Sequence, residues 1–430
     1  MRRLFSLTVL LSLSWADDLA SMLSSKPKLS DSDIANKQEG VYFTGLPLAN
    51  YNPDRGFGYG ARLYMYDNGA KSDTIFAYTP YKSQLFAQFF QTTNGWQYHW
   101  LYWDSNYVAD LPLRLTLSAI YESNSQAPYF GHTAAVSMGA LRDTLGNEYA
   151  TSKAQIEALG TQGSPYYNRF GFYNPRLEIN AQYDLLGGIV RVATGLKLSH
   201  VTVKRYESVT TTTNPELVKD NNASLLSAST RGVAGGFNNA LKIGIIYDSR
   251  DFAPNAKSGS AHDLTAELFT PLLGSTYSYE RYTFSTKNFY TLPFYERLTL
   301  GGQFVYSAMR GEAPFYDYQS LGYTDDTKSG LGGLRTMRGY MQNRFMGPVK
   351  SVVNLEARWR FLQLGANEFV FVPFIDSGAA YDSLMLDVTQ FRSTYGAGVR
   401  FVWNQSTTII VDYGTNSEDS GLYIDFNHIF

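Results

Sequence analysis

Arg338, Gly339 and Tyr340 end a glycine-rich run that begins at Gly330, and two acidic residues, Glu356 and Asp376, follow it in the chain. An arginine guanidinium is a planar, permanently charged fork that can donate to two carboxylates at once. A glycine beside it lets the backbone turn sharply, and a tyrosine supplies a large ring to pack on a wall. The chemistry on offer is therefore positional: Arg338 bridging Glu356 and Asp376 would lock a loop in place. Nothing else in the chain points to turnover. Neither G-x-S-x-G nor H-E-x-x-H occurs, so catalysis is not expected. Five His, no Cys and a net charge of -2 give no case for a zinc site, a cofactor or a nucleic-acid face. A second charged group, Asp248, Arg250 and Asp251, has the spacing of a turn network at a rim.

Such residues need rigid elements to carry them, and the chain supplies strands. Its 33 Tyr, 27 Phe and 37 Gly suit short strands and tight turns. Along 351–361, Val353, Leu355, Ala357, Trp359 and Phe361 alternate with Asn354, Glu356, Arg358 and Arg360. Tyr395, Ala397, Val399, Phe401 and Trp403 alternate with Gly396, Gly398 and Arg400, and Ile409, Val411 and Tyr413 with Thr408, Ile410 and Asp412. In the last segment Leu422, Ile424, Phe426, His428 and Phe430 fall on one side by the same count. One face is apolar at every step while the other accepts charge and glycine.

Alternation alone does not identify the solvent. Met1-Arg2-Arg3, an apolar run from Leu4 to Leu13 and the small-residue end Ser14-Trp15-Ala16 read as a secretory signal over 1–16. Residues 17–39 are then a short polar periplasmic lead. Segments at 40–48, 57–67, 81–91, 95–106, 112–122, 173–184, 187–200, 238–248, 262–271, 277–290, 295–309, 351–361, 368–379, 392–403, 406–414 and 421–430 have the length of transmembrane strands. They predict an all-β fold over 40–430, a 16-stranded antiparallel transmembrane β-barrel with the apolar face in lipid and the polar face around a wet lumen. The long connections near 123–172, 201–237, 310–350 and 380–391 all follow odd-numbered strands, which puts them outside the cell. Leu185-Leu186 and Asn404-Gln405 are short periplasmic turns, whereas 68–80 and 249–261 are longer than that side requires. Glu356 and Asp376 both face the lumen on adjacent strands, within reach of a loop folded inward. Tyr64, Tyr66, Tyr98, Trp100, Tyr102 and Trp103 are expected to form lipid-interface belts.

Met337-Arg338-Gly339-Tyr340 resembles the V-R-G-Y/F signature of the sixteen-stranded Omp85 proteins, also called the bacterial surface antigen (D15) family. In that family the motif lies in the long loop after strand eleven, where the strand count places it here. Phe374-Ile375-Asp376-Ser377-Gly378 resembles the family's F-x-D-x-G on strand thirteen, and Glu356 matches its acidic residue on strand twelve. Tyr247-Asp248-Ser249-Arg250-Asp251 resembles a recurring D-x-R-D element, and Asn52-Pro53-Asp54-Arg55-Gly56-Phe57-Gly58 the first hairpin. Phe430, with Phe426, looks like the terminal aromatic signal read during outer-membrane assembly.

The resemblance covers roughly 40–430 and implies residence in the bacterial outer membrane, contact with its lipids including lipopolysaccharide, and insertion by the outer-membrane assembly machinery. Family members usually carry periplasmic POTRA domains that receive clients, and 17–39 is too short for one. The expected role is protein translocation, insertion or transport with a separate POTRA-containing or client protein, using a weak seam between the first and last strands. A gated pore with the 310–350 loop as plug, and a structural or surface-adhesive barrel, are the alternatives.

Overall fold

The protein is described by a computed structural model covering residues 23, 28–29, 34–35, 37–206, 224–322, 328–365, 367–404 and 407–430. The signal segment at 1–16 lies outside the described residues. Sixteen long strands form one closed antiparallel sheet. They are β1 (Val41–Asn52), β2 (Gly56–Asp67), β3 (Ser83–Thr92), β4 (Trp96–Ser105), β5 (Leu113–Pro128), β6 (Arg169–Leu185), β7 (Val190–Arg205) and β8 (Ala240–Asp248). The circuit continues through β9 (Gly259–Phe269), β10 (Tyr279–Thr291), β11 (Leu298–Gly311), β12 (Val349–Leu364), β13 (Asn367–Tyr381), β14 (Arg392–Asn404), β15 (Thr407–Thr415) and β16 (Ser420–Phe426).

Each strand pairs with its sequence neighbour, and β1 meets β16 to close the ring. Closure pairs the backbone of each strand along both edges, as lipid demands, except at the β1–β16 junction, where pairing is short. The outward face confirms the solvent: Phe43 is 76% exposed, Leu63 66%, Leu264 61% and Ile375 52%, apolar surface that water would not tolerate so evenly. No helix among the described residues is long and apolar enough to cross a membrane.

Two ends of the barrel differ. The long connections 129–168, 206–239 and 312–348 share the end that strand parity assigns to the extracellular side. There β5, β6 and β7 run past the apolar belt, with Pro128 opposite Arg169 and Phe170 opposite Arg205, so they are longer than the alternation suggested. Above them Tyr129, Phe170, Leu226, Phe315, Tyr316 and Met346 form a buried cluster that roofs the mouth. Two short helices, α1 (Ala134–Ser137) and α2 (Ser152–Thr161), lie in the first of these connections.

Both overlong periplasmic turns have a physical reason. The turn after β2 is a docking place for the lead: Leu29 N–H donates to Ala77 O at 2.9 Å, and the Lys37 ammonium donates to Phe76 O at 2.8 Å and Thr79 O at 2.9 Å. Leu23 is buried there against Ile75 and Tyr107. The turn after β8 houses the charged group around Asp248.

Two sequence expectations are corrected. Tyr64, Tyr66, Tyr98, Trp100 and Tyr102 do not form lipid belts. Tyr64 stands opposite buried Phe86, and Trp100 opposite Gln88, on the lumen face; of the six only Trp103 shares the lipid face, with Leu101. The last strand also stops early. It ends at Phe426, Asn427 takes a left-handed φ of 65°, and His428, Ile429 and Phe430 turn into the barrel and are buried. Phe430 therefore stacks on lumen-facing Phe289, with ring centroids 6.0 Å apart, instead of facing lipid beside Ile424. Arginines reward the inward turn: Arg335 donates to His428 O at 3.1 Å and Arg358 to Phe430 O at 3.2 Å.

Candidate functional site

The connection 312–348 folds down into the lumen and carries Arg338 to full burial. Strand β13 presents Asp376 to it: Nε and Nη2 of Arg338 each donate to a carboxylate oxygen at 2.8 Å, and the Arg338 backbone N–H adds a third bond at 3.1 Å. Nη1 is shared between Glu356 of β12 at 2.8 Å and Asp412 of β15 at 2.9 Å. The guanidinium carbon lies 3.3 Å from the centroid of the Phe374 ring, whose face attracts the cation.

The strand walls balance this charge. Arg358 donates to Glu356 at 2.9 Å, and Arg400 reaches Glu356 at 3.4 Å and Asp412 at 3.0 Å. Three carboxylates thus meet three guanidinium groups, so the cluster carries no net charge. Buried ion pairs of this kind add little net stability, because desolvation offsets attraction, but they tolerate only one geometry.

Backbone fit is equally restrictive. Gly339 has φ of 107°, its N–H donates to the Tyr423 hydroxyl at 2.9 Å, and its neighbour across the gap is Gly414. A Cβ on Gly414 would come within 2.5 Å of Arg338 O. Tyr340 packs with Met337, Leu331 and Phe345 against Val305 and Val352 of the wall.

Further contacts pin the same loop along its length. Asp317 accepts from the Tyr279 hydroxyl at 2.6 Å and pairs with Arg281, which also donates to Glu267 at 2.8 Å. Arg344 forks onto Glu418 at 2.7 and 2.9 Å. Lys350, at the foot of the loop, donates to Tyr318 O and Ser320 O, both at 2.7 Å. At the far side Gln342 N–H donates to Asp54 in the β1–β2 turn at 2.7 Å. Burial pushes the Asp54 carboxyl up to about 6, against the pull of that N–H and of Arg169 and Arg55. Burial likewise raises Asp419 in the β15–β16 turn.

Of the residues singled out from sequence, Arg338, Gly339, Tyr340, Glu356 and Asp376 lie together. Asp412, Arg358 and Arg400 also belong to the cluster; their lumen parity on β15, β12 and β14 was the available signal. Asp248 meets Arg250 at 2.8 and 2.9 Å and gains Arg191 at 2.9 Å. Asp251 stands apart and accepts backbone N–H groups of Phe252 and Lys257, which shapes the turn. Phe426 and Phe430 lie on different sides of the Asn427 bend. No group of His, Asp and Glu among the described residues is arranged to hold a metal ion.

The seam between β1 and β16 differs from every other junction. Tyr51 opposite Ile424 is its single registered pair, whereas β1 and β2 are in register from Val41–Asp67 to Asn52–Gly56. With β16 ending at Phe426, antiparallel pairing leaves the periplasmic half of β1, Val41–Leu48, with no strand among the described residues on its outer edge.

Comparison with known proteins agrees with this architecture. The Omp85 superfamily domain matches residues 93–419, and a domain of unknown function, DUF5982, matches residues 19–82. No curated protein sequence is significantly similar. Among solved structures, BamA from Haemophilus ducreyi lacking POTRA domains 1-3 superposes with a TM-score of 0.56 at 12% identity, over 91% of this chain and 70% of that one. CdiB from Escherichia coli gives 0.54 at 9% identity, over 91% of this chain and 63% of that one. Identities this low speak to the fold alone.

Proposed function

Given that the chain belongs to the Omp85 superfamily and is an outer-membrane barrel, we propose that it inserts or translocates polypeptide by opening the β1–β16 seam, working with a separate periplasmic partner. The observation that carries this reading is the seam itself. Val41–Leu48 offers a row of unpaired backbone donors and acceptors at membrane depth, and an incoming client strand could satisfy them by adding to the sheet edge. Separating β1 from β16 breaks one registered pair, where any other junction would break a full ladder. The lead and the turn after β2, packed together beneath β1–β4, are the surface that a periplasmic partner would meet first. A pore in which the loop 312–348 swings out is less well supported, since Asp317, Arg338, Gln342 and Arg344 all hold that loop to the wall and rim.

A disulfide across the seam tests the proposal. Tyr51→Cys with Ile424→Cys joins directly opposed residues, whose Cα separation of about 4.5–5.5 Å in an antiparallel pair suits a disulfide. The sequence has no cysteine to compete. With a photo-crosslinking residue at Thr44, the reduced protein in cells should crosslink to nascent outer-membrane precursors, and the oxidised protein should not. Equal crosslinking in both states would refute opening at the seam.

A further inference from the structure

The lumen wall opposite the Arg338 cluster bears a continuous track of aromatic rings. It starts at the periplasmic end with Tyr42 stacked on Tyr66, centroids 5.2 Å apart, and steps to Tyr64 at 5.3 Å and Phe86 at 5.4 Å. It continues to Trp100 at 4.8 Å and Tyr98 at 6.0 Å, and reaches Trp96 at the extracellular end after a last step of 5.5 Å. Phe86 is buried beneath the track, whereas the other six rings are half-buried. The connections above it, 53–55 and 93–95, are short hairpins, while the long loops rise from other strands.

Charge distinguishes this wall from its neighbours. Arg114 pairs with Asp104, Arg176 with Glu122 and Glu178, and Arg191 with Asp248. Arg62 lies over the Phe86 ring at 4.6 Å and bonds only neutral groups, Gln88 at 2.9 Å and the Tyr64 hydroxyl at 2.9 Å. Arg55 stacks on Trp96 at 3.9 Å, and its Nε has no hydrogen-bond partner among the described residues. Among those residues neither cation has a carboxylate in ion-pair range. Arg55 lies in the field of Glu122, Asp54 and Asp425, so Arg62 is the cation of the track that bonds only neutral groups.

We infer that this track is a binding site for an acidic oligosaccharide lying along the lumen wall. A pyranose presents a C–H face that lies on an aromatic ring and a rim of hydroxyls that exchange hydrogen bonds with planar side chains; here Gln88, Arg62 and the tyrosine hydroxyls flank the rings. A uronate carboxylate supplies the charge that Arg62 lacks. A polypeptide is the poorer fit: β2, β3 and β4 are paired on both edges and offer no backbone to augment. The site is independent of whether the seam opens.

The test uses the full chain in detergent micelles, with hexagalacturonate and the neutral maltohexaose as probes, followed by calorimetry and tryptophan fluorescence. Hexagalacturonate should bind at least about tenfold more tightly than maltohexaose, the value of one charge-assisted hydrogen bond or more. Arg62→Gln should remove that preference, Trp100→Phe should weaken binding of both sugars, and lipid-facing Trp103→Phe should change neither. Each variant is first shown to be folded by its heat-dependent gel mobility. Absence of hexagalacturonate binding, equal affinity for both sugars, or indifference to Arg62→Gln would overturn the inference. So would binding of an unfolded polypeptide at the same rings in place of either sugar.

Discussion

Replacing Arg338 by Ala removes the one cation shared by three buried carboxylates, and the three do not suffer equally. Glu356 keeps Arg358 at 2.9 Å and Arg400 at 3.4 Å, and Asp412 keeps Arg400 at 3.0 Å. Asp376 loses both side-chain donors and retains the amide of Asn354 at 2.8 Å and the backbone N–H of residue 338 at 3.1 Å. The cost is therefore that of one uncompensated buried carboxylate, about 3–5 kcal/mol. Neutralising that carboxylate removes the cause, so adding Asp376→Asn to Arg338→Ala should recover about 2 kcal/mol, a coupling expected only for residues in direct contact.

Urea unfolding of the barrel in lipid vesicles, followed by tryptophan fluorescence, measures both values. Trypsin sensitivity of the loop, which contains Arg335, Arg338 and Arg344, reports its position separately. If Arg338→Ala lies within about 1 kcal/mol of the parent with the loop equally protected, or if the two substitutions are simply additive, the carboxylate cluster does not hold the loop.

Other expectations follow from single contacts. Gly414→Ala drives a methyl group into the Arg338 carbonyl and should cost about 1–3 kcal/mol while exposing the loop to trypsin, with the strand itself intact by circular dichroism. Phe430→Ala empties a buried ring site against Phe289 and should lower stability by about 3 kcal/mol, read by urea unfolding in lipid vesicles. Asp54 has a folded value of about 6, above its ordinary 3.8, so the folded state holds the proton more tightly than the unfolded one. Its stabilising contribution is complete below pH 3.8, declines as pH rises towards 6, and is absent above; Asp54→Asn should flatten that part of the stability profile measured by urea titration.

The sequence by itself determined the barrel. A period of two with one apolar face needs no tertiary information, and lipid permits strands only in a closed ring, so strand count, connection parity and the lumen-facing positions of Glu356 and Asp376 were all legible. The tripeptide at Arg338 was legible for the same reason, since its partners sit on neighbouring strands of known parity.

What alternation cannot give is which of two similar faces turns inward. On β2 and β4 both faces are rich in large rings, Tyr59 and Trp103 on one and Tyr64, Tyr66, Tyr98 and Trp100 on the other. Only closure of the sheet decided that the second set lines the lumen. Alternation also runs on unbroken through His428 and Phe430, so the left-handed turn at Asn427 left no mark in the pattern; it is set by arginines on the loop and on β12. Asp412 and Arg400 became part of the Arg338 cluster because the loop descends beside β14 and β15. That path, like the single pair that closes the seam, is a property of the folded ring, where residues far apart in sequence first share a boundary.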